Sequence, residues 1–326
     1  MKLTSFLLFI LGISAFLFVS CNDTNDIFTP SENIISDNPG TTWNVPGDFA
    51  TIQDAINNSN VVNGDVISVG PGNFNGALVT KGVVIKGEEN TVINNGPVHG
   101  SGLIMGFRFL PGSDNAAISH LTFTVDLAIM NGGAVNNVEV SHCTFLNSIQ
   151  AISNWRGSGW NINHNTVTDL RTRCGGGIGI LLGDFMGGTV SGNVVSHNII
   201  SGTLHVAQGD CGGYAGTGIV LYADFRWGAS GTIAFKNNFI THNSVSLISD
   251  NPALVDVWAF ELTDTRDDPN TIVLFDNSIG FNDFRWTTSQ ISLTPGVLDN
   301  PVNNISRNLG DNRGHGLHPK DFKPGN

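Results

Sequence analysis

Val138-Glu139-Val140-Ser141-His142-Cys143-Thr144-Phe145 is followed 22 residues later by Trp160-Asn161-Ile162-Asn163-His164-Asn165-Thr166-Val167. Residues two apart in a strand share a face, so Val138 with Val140, or Ile272 with Leu274, predict an inward-facing pair. Three positions on comes a small or amide residue, and two beyond it another apolar one. Further copies read as Gly188 to Val195, Ile233 to Ile240 and Ile272 to Ile279, with a weaker one at Ala116 to Phe123. The shared position runs Leu121, Cys143, Asn165, Asn193, Asn238, Asn277. An Asn side chain at a turn can donate and accept hydrogen bonds, so stacked copies predict an amide ladder with two apolar members at its N-terminal end.

A fixed period implies units stacked on their neighbours, whereas a β-sandwich has no reason to repeat Asn at one register. The fold class predicted is all-β, a right-handed parallel β-helix built as a solenoid. Along the shared position the interval is 22, 22, 28, 45 and then 39 residues. Extra length in a solenoid leaves the stack as loops, here within residues 169–176, 201–217 and 246–256, which are expected to wall a groove. A long coil hiding two short rungs is the alternative.

Composition narrows the partners. With 27 acidic and 15 basic side chains the formal charge is -12. Nucleic-acid binding draws most of its affinity from Lys and Arg, so a nucleic-acid partner is not expected. Gly, at 40 residues, and the many Asn disfavour long helices, while short runs of Val, Ile, Thr and Phe favour strands.

The first residues carry an address. Leu3 to Val19 is almost uninterrupted apolar sequence behind Met1 and Lys2, and it ends at Ser20 and Cys21. Its length suits the apolar region of a secretory signal. Leu17-Phe18-Val19-Ser20-Cys21 resembles the bacterial lipoprotein signal peptide, with Phe18 departing from the smaller residue usual there. The resemblance implies cleavage after residue 20, lipidation of Cys21, and a place at the outer membrane or cell surface. Residues 21–42 read as a flexible polar tether, 43–290 as the β-helix domain, and 291–326 as a C-terminal cap or irregular tail.

Thr51-Ile52-Gln53-Asp54-Ala55-Ile56, then Gly64 to Ile67, Pro71 to Phe74 and Val83 to Gly87, resemble the opening of pectin-lyase-like β-helix proteins. The resemblance covers roughly residues 43–282 and implies the fold together with a short N-terminal capping helix near Thr51 to Asn58. Because that family holds lyases, hydrolases, esterases and non-enzymatic adhesins, it does not assign an activity.

Ile180 to Phe185, Val220 to Phe225 and Phe260 to Asp264 align in a second frame, each offset by 40. If each interval is one coil, Asp184, Asp224 and Asp264 form a column of carboxylates about 4.8 Å apart. Such a column serves as general acid and base, or as an oxygen cage for calcium. Arg226 and Arg266 beside it can hold a substrate carboxylate, and Tyr222 and Trp227 offer flat apolar surfaces to a sugar. Arg171, Arg173 and His205, on the lengthened loops, complete the expected contacts. The competing reading is that these Asp residues close turns and pair with Arg at the surface. His120, His142 and His164 each precede the shared position and form either a metal-binding or a solvated column. Cys174 and Cys211, each followed by two Gly, are expected to form a disulfide in an exported chain, with two free thiols as the alternative. The function expected is a monomeric, glycan-associated surface lipoprotein that binds or cleaves an acidic polysaccharide, against a non-catalytic adhesin presenting the same coils.

Overall fold

The computed structural model describes residues 40–173, 176–207, 216–228, 231–265 and 271–293, with Asn303, Leu309, Gly310 and Asn312. The leader with Cys21, the pair Cys174 and Cys211, and Arg266 lie outside the described residues. No described helix is long and apolar enough to cross a membrane.

The described chain is all-β apart from one helix, Ile52–Asn57, and a single helical turn, Phe225–Trp227. Its strands form parallel sheets of nine, eight, seven and three members. One pass of the chain shows how they are filled. Glu139–Ser141 lies in the nine-stranded sheet, Thr144–Ser148 in the seven-stranded sheet and Gln150–Trp155 in the eight-stranded sheet. Asn161–Asn163 then returns to the first sheet and pairs parallel to Glu139–Ser141.

The inward residues stack register on register. Val140 stands opposite Ile118 and Ile162, Phe145 opposite Phe123 and Val167, and Ile152 opposite Ile129 and Ile180, all fully buried. The rings of Phe123 and Phe145 lie 5.0 Å apart and nearly parallel. Alternation in the sequence thus becomes one continuous core cluster that reaches from Val45 to Leu309.

The amide column predicted as single is two columns. In one, Cys143 N–H donates to Asn165 Oδ1, Asn165 N–H to Asn198, Asn198 to Asn243, Asn243 to Asn282, and Asn282 to Asn312. In the other, Trp160 N–H donates to Asn193 Oδ1, Asn193 N–H to Asn238, and Asn238 to Asn277. The interval of 28 compared members of different columns. The physical reason is an added side: Thr189–Ser191, Ile233–Lys236 and Ile272–Phe275 form the three-stranded sheet, each one turn before a strand of the nine-stranded sheet. Much of the extra length is therefore strand rather than loop. Residues 169–171, 201–205 and 246–249, expected in loops, belong to strands Thr166–Arg171, Ile199–His205 and Ser244–Ser249.

The helix forms where expected. Thr51 has extended backbone, and its hydroxyl accepts from Asp54 N–H at 3.0 Å, satisfying a first-turn donor. Ile52, Ala55 and Ile56 are buried, while Gln53 faces strand Ala77–Val79, the end member of the eight-stranded sheet. Gln53 Oε1 accepts from Leu78 N–H at 2.8 Å and its Nε2 donates to Leu78 C=O at 3.3 Å.

Candidate functional site

Strands Ile178–Asp184 and Gly216–Ala223, at the centre of the eight-stranded sheet, are buried along their whole length. Their inward residues, including Ile180, Leu182, Ile219 and Leu221, join the main core. Ile178, Leu181, Val220 and Tyr222 form a separate apolar cluster on the opposite face, with Trp155 against it.

A cleft of about 680 Å³ opens over that face. Its aromatic wall is Trp155, Phe185, Tyr222 and Trp227, and its cationic groups are Arg108, Arg173 and Arg226. Asn131 and Gln150 add amides. Trp155 lies edge-on to Phe185 at 5.6 Å and to Tyr222 at 5.9 Å. Gly183 makes that meeting possible, since it sits between Trp155 and Tyr222 in the strand register. A Cβ there would lie 2.9 Å from Trp155 Cζ3 and from Tyr222 O.

Arg108 occupies the outer position of strand Met105–Phe109, whose other side chains are buried. Its Nε is buried without a hydrogen-bond partner. The guanidinium lies over Gly132, where a Cβ would be 2.9 Å from Nε. Asn131, the residue before, is fixed from below: its Nδ2 donates to Trp155 C=O and its Oδ1 accepts from Trp155 N–H. The same side chains thus hold the Trp155 backbone and floor the cleft.

The carboxylates predicted as a column do not converge. In the strand register Asp184 faces Ala223, which faces Asp264, so Asp224 is displaced by one residue. The equal offset of 40 combined a pairing of 39 with one of 41. Asp184 is buried and accepts from the N–H groups of Met186, Gly187 and Gly188, with Arg156 Nε 3.5 Å away. Asp224 lines the cleft, yet one oxygen accepts from Arg226 N–H and Nε and the other from Arg226 Nη2 and Trp227 Nε1. Asp264 accepts from the Thr271 hydroxyl. These are turn-closing contacts, because Asp184 ends its strand, Asp224 directly follows one, and both supply the acceptors that the following turns need. Among the described residues no three His, Cys, Asp or Glu side chains converge on one point for a metal ion. The calcium cage expected of Asp184, Asp224 and Asp264 is not formed.

Of the expected sugar contacts, Tyr222, Trp227 and Arg173 line the cleft with Arg226, and Trp227 is 71% exposed. Arg171 and His205 do not line it. Arg171 is tied to Asp126 and to Asn147 C=O, and His205 Nδ1 lies 3.1 Å from Asp250. Both stand on strands of the seven-stranded sheet, a different side of the fold. Arg108, Trp155 and Phe185 were not singled out from sequence. Arg108 was detectable as the one charged residue in an otherwise apolar strand.

Glu261 stands on the same outer face, opposite Val220 and Ser292 in register. Burial pushes its carboxyl up to about 7. Between the ordinary value of 4.5 and about 7 it is mostly protonated where an ordinary glutamate is charged.

The chain matches no protein-family model and no curated protein sequence. Among solved structures it is similar to the catalytic domain of GH87 alpha-1,3-glucanase in complex with nigerose, at 11% identity, with 85% of this chain and 69% of that chain covered and a TM-score of 0.33. A single-site variant of that domain in complex with tetrasaccharides gives 11% identity, the same coverage and a TM-score of 0.35. Likeness at this level assigns no activity.

Proposed function

We propose that the chain binds an acidic glycan in the cleft on the eight-stranded sheet, without cleaving it. The observation that carries this reading is the gathering of Arg108, Arg173 and Arg226 with Trp155, Tyr222 and Trp227 in one cleft of a protein whose net charge is -12. Aromatic faces accept the apolar side of a sugar ring, and guanidinium groups take carboxylates or sulfates in paired hydrogen bonds. Asp224 neutralises Arg226 through the 2.8 Å pair and orients it, which leaves Arg108 and Arg173 as the net cationic groups. The same engagement removes Asp224 from acid–base work, and Asp184 is spent on backbone N–H groups. Binding rather than bond breaking is therefore the favoured reading.

On this reading Arg108→Gln and Arg173→Gln each weaken polygalacturonate or alginate binding about tenfold, close to one charge-assisted contact. Affinity electrophoresis and calorimetry at low salt would measure it, with dextran as the neutral control. Undiminished binding in both variants, or equal retention of dextran, would remove the acidic-glycan reading. Polymer shortened by the unmodified protein would replace binding with catalysis.

The frame carrying the cleft is, in the same proposal, a right-handed parallel β-helix over residues 43–290, with the helix Ile52–Asn57 as its cap and residues 291–326 as a C-terminal cap or irregular tail. The parallel pairing and the return of each sheet once per pass support it. Residues 1–20 act as a signal peptide, and lipid on Cys21, with residues 21–42 as tether, holds the monomer at the outer membrane or cell surface. The apolar run ending at Ser20 and Cys21 supports this anchor. Cys21→Ala should move the protein from the membrane to the soluble fraction, and equal partition of both proteins would overturn the anchor.

A further inference from the structure

His120, His142, His164, His197 and His242 form one continuous stack of exposed imidazoles. Successive ring centroids are 5.1, 5.2, 5.0 and 5.1 Å apart, and the planes agree within 4°. Each precedes a member of the column that runs from Leu121 and Cys143 through Asn165, Asn198 and Asn243, so the buried ladder beneath sets the spacing of the rings above. Phe281 closes the stack at 5.6 Å.

All five have positive φ, between 54° and 58°. That conformation favours Gly and, among residues with a side chain, Asn, Asp and His. The fold contains its own control, because a second column of positive-φ residues precedes the other ladder. It reads Asn115, Asn137, Gly159, Gly192, Asn237 and Asp276, the residues that backbone sterics alone would select. Five successive histidines, with no Gly, Asn or Asp among them, set the first column apart from the second. Stacking alone is met equally by a phenyl ring, as Phe281 demonstrates. What imidazole adds is a nitrogen lone pair.

We propose that this imidazole ladder is a binding strip for divalent transition-metal ions of the copper, nickel and zinc class, with two neighbouring rings holding each ion and water completing its coordination. Neutral imidazole is the commonest side-chain ligand for such ions. Of the five stacked rings only His164 has a protein partner for a ring nitrogen, Asn163 Oδ1 at 3.0 Å, so the other four present theirs to solvent. Partial burial, followed by the charges of neighbouring imidazoles, holds His120 and His197 below the usual histidine value, with Lys86 adding to the effect at His120. A metal–nitrogen bond of about 2.0–2.1 Å brings two nitrogens within about 4.2 Å of each other. Parallel rings direct their in-plane lone pairs side by side, so a pair 5 Å apart binds one ion by turning its two exposed rings out of the stack until the lone pairs converge. Lys86 repels a cation from the His120 end, and Phe281 offers no ligand at the other. The occupied pairs lie among His142, His164, His197 and His242.

The test uses the full chain and copper(II) alone at pH 7.5, with calorimetry for stoichiometry and electron paramagnetic resonance for ligand type. At least one ion should bind per chain, with hyperfine splitting from two imidazole nitrogens, and binding should fall at least tenfold at pH 5 as protons compete. Combined His142→Phe, His164→Phe and His197→Phe substitution keeps the stack and should abolish that signal while thermal unfolding is unchanged. Should that variant fail to fold, His164→Phe alone removes two of the three pairs and should reduce the bound copper. An all-oxygen or single-nitrogen spectrum from the unmodified protein, or an unchanged spectrum in the folded variant, overturns the strip.

Discussion

Asn238→Ala is expected to destabilise the protein by about 3 to 5 kcal/mol, read as a shift in the denaturant midpoint. Asn238 is completely buried. Its Oδ1 accepts from Asn193 N–H at 3.1 Å and Asn193 Nδ2 at 2.9 Å, and its Nδ2 donates to Val190 C=O and Asn277 Oδ1. Truncation leaves those buried groups without a partner, and an unmet buried group costs about 1 to 3 kcal/mol. A typical domain is stable by about 5 to 15 kcal/mol, so a large share of the total is at stake. Water entering the space would reduce the loss. A change of less than about 1 kcal/mol would show that the amide column follows the fold without stabilising it.

Glu261→Gln should be neutral at pH 4 and stabilising by roughly 2 to 3 kcal/mol at pH 8. In the unfolded chain this carboxyl releases its proton near 4.5, whereas in the folded protein it retains it to about 7. The folded state therefore binds more protons between those values, and stability falls as pH rises through that window before levelling off above it. Gln carries no such penalty. Asp65 works in the opposite sense: burial raises its pKa, but hydrogen bonds from Trp43, Val62 and Thr41 and the charge of Lys81 outweigh that and lower it. Its contribution is lost as pH falls, and it cancels when variant and parent are compared at the same pH. Denaturant titrations at both pH values test the claim, and a gap between variant and parent that does not change with pH would refute it.

The strand pattern was legible because a buried position in a stacked sheet repeats its chemistry in register. Val140, Phe145 and Ile152 betray their faces by periodicity alone. The two amide columns were not separable, because Asn165 and Asn193 occupy equivalent turns on different sides and both are flanked by β-branched strand residues. Separating them required the strands Thr189–Ser191 and Ile233–Lys236, whose short alternations match those of the nine-stranded sheet. Once the columns are apart, His197 and His242 join His120, His142 and His164. The cleft was partly visible through Tyr222, Arg226 and Trp227, which are close in sequence. Arg108 and Trp155 reach it only through strand pairing, over sequence distances that no local pattern encodes.

One small contact at the N-terminal end has a consequence for how molecules meet. A parallel sheet ends in a strand whose outer peptide groups can template another, and each strand added renews the same edge. At Leu78 the carboxamide of Gln53 presents a carbonyl and an amine to the N–H and C=O of that strand, as a neighbouring peptide group would. At that residue the side chain occupies the place where the backbone of a second molecule could otherwise pair.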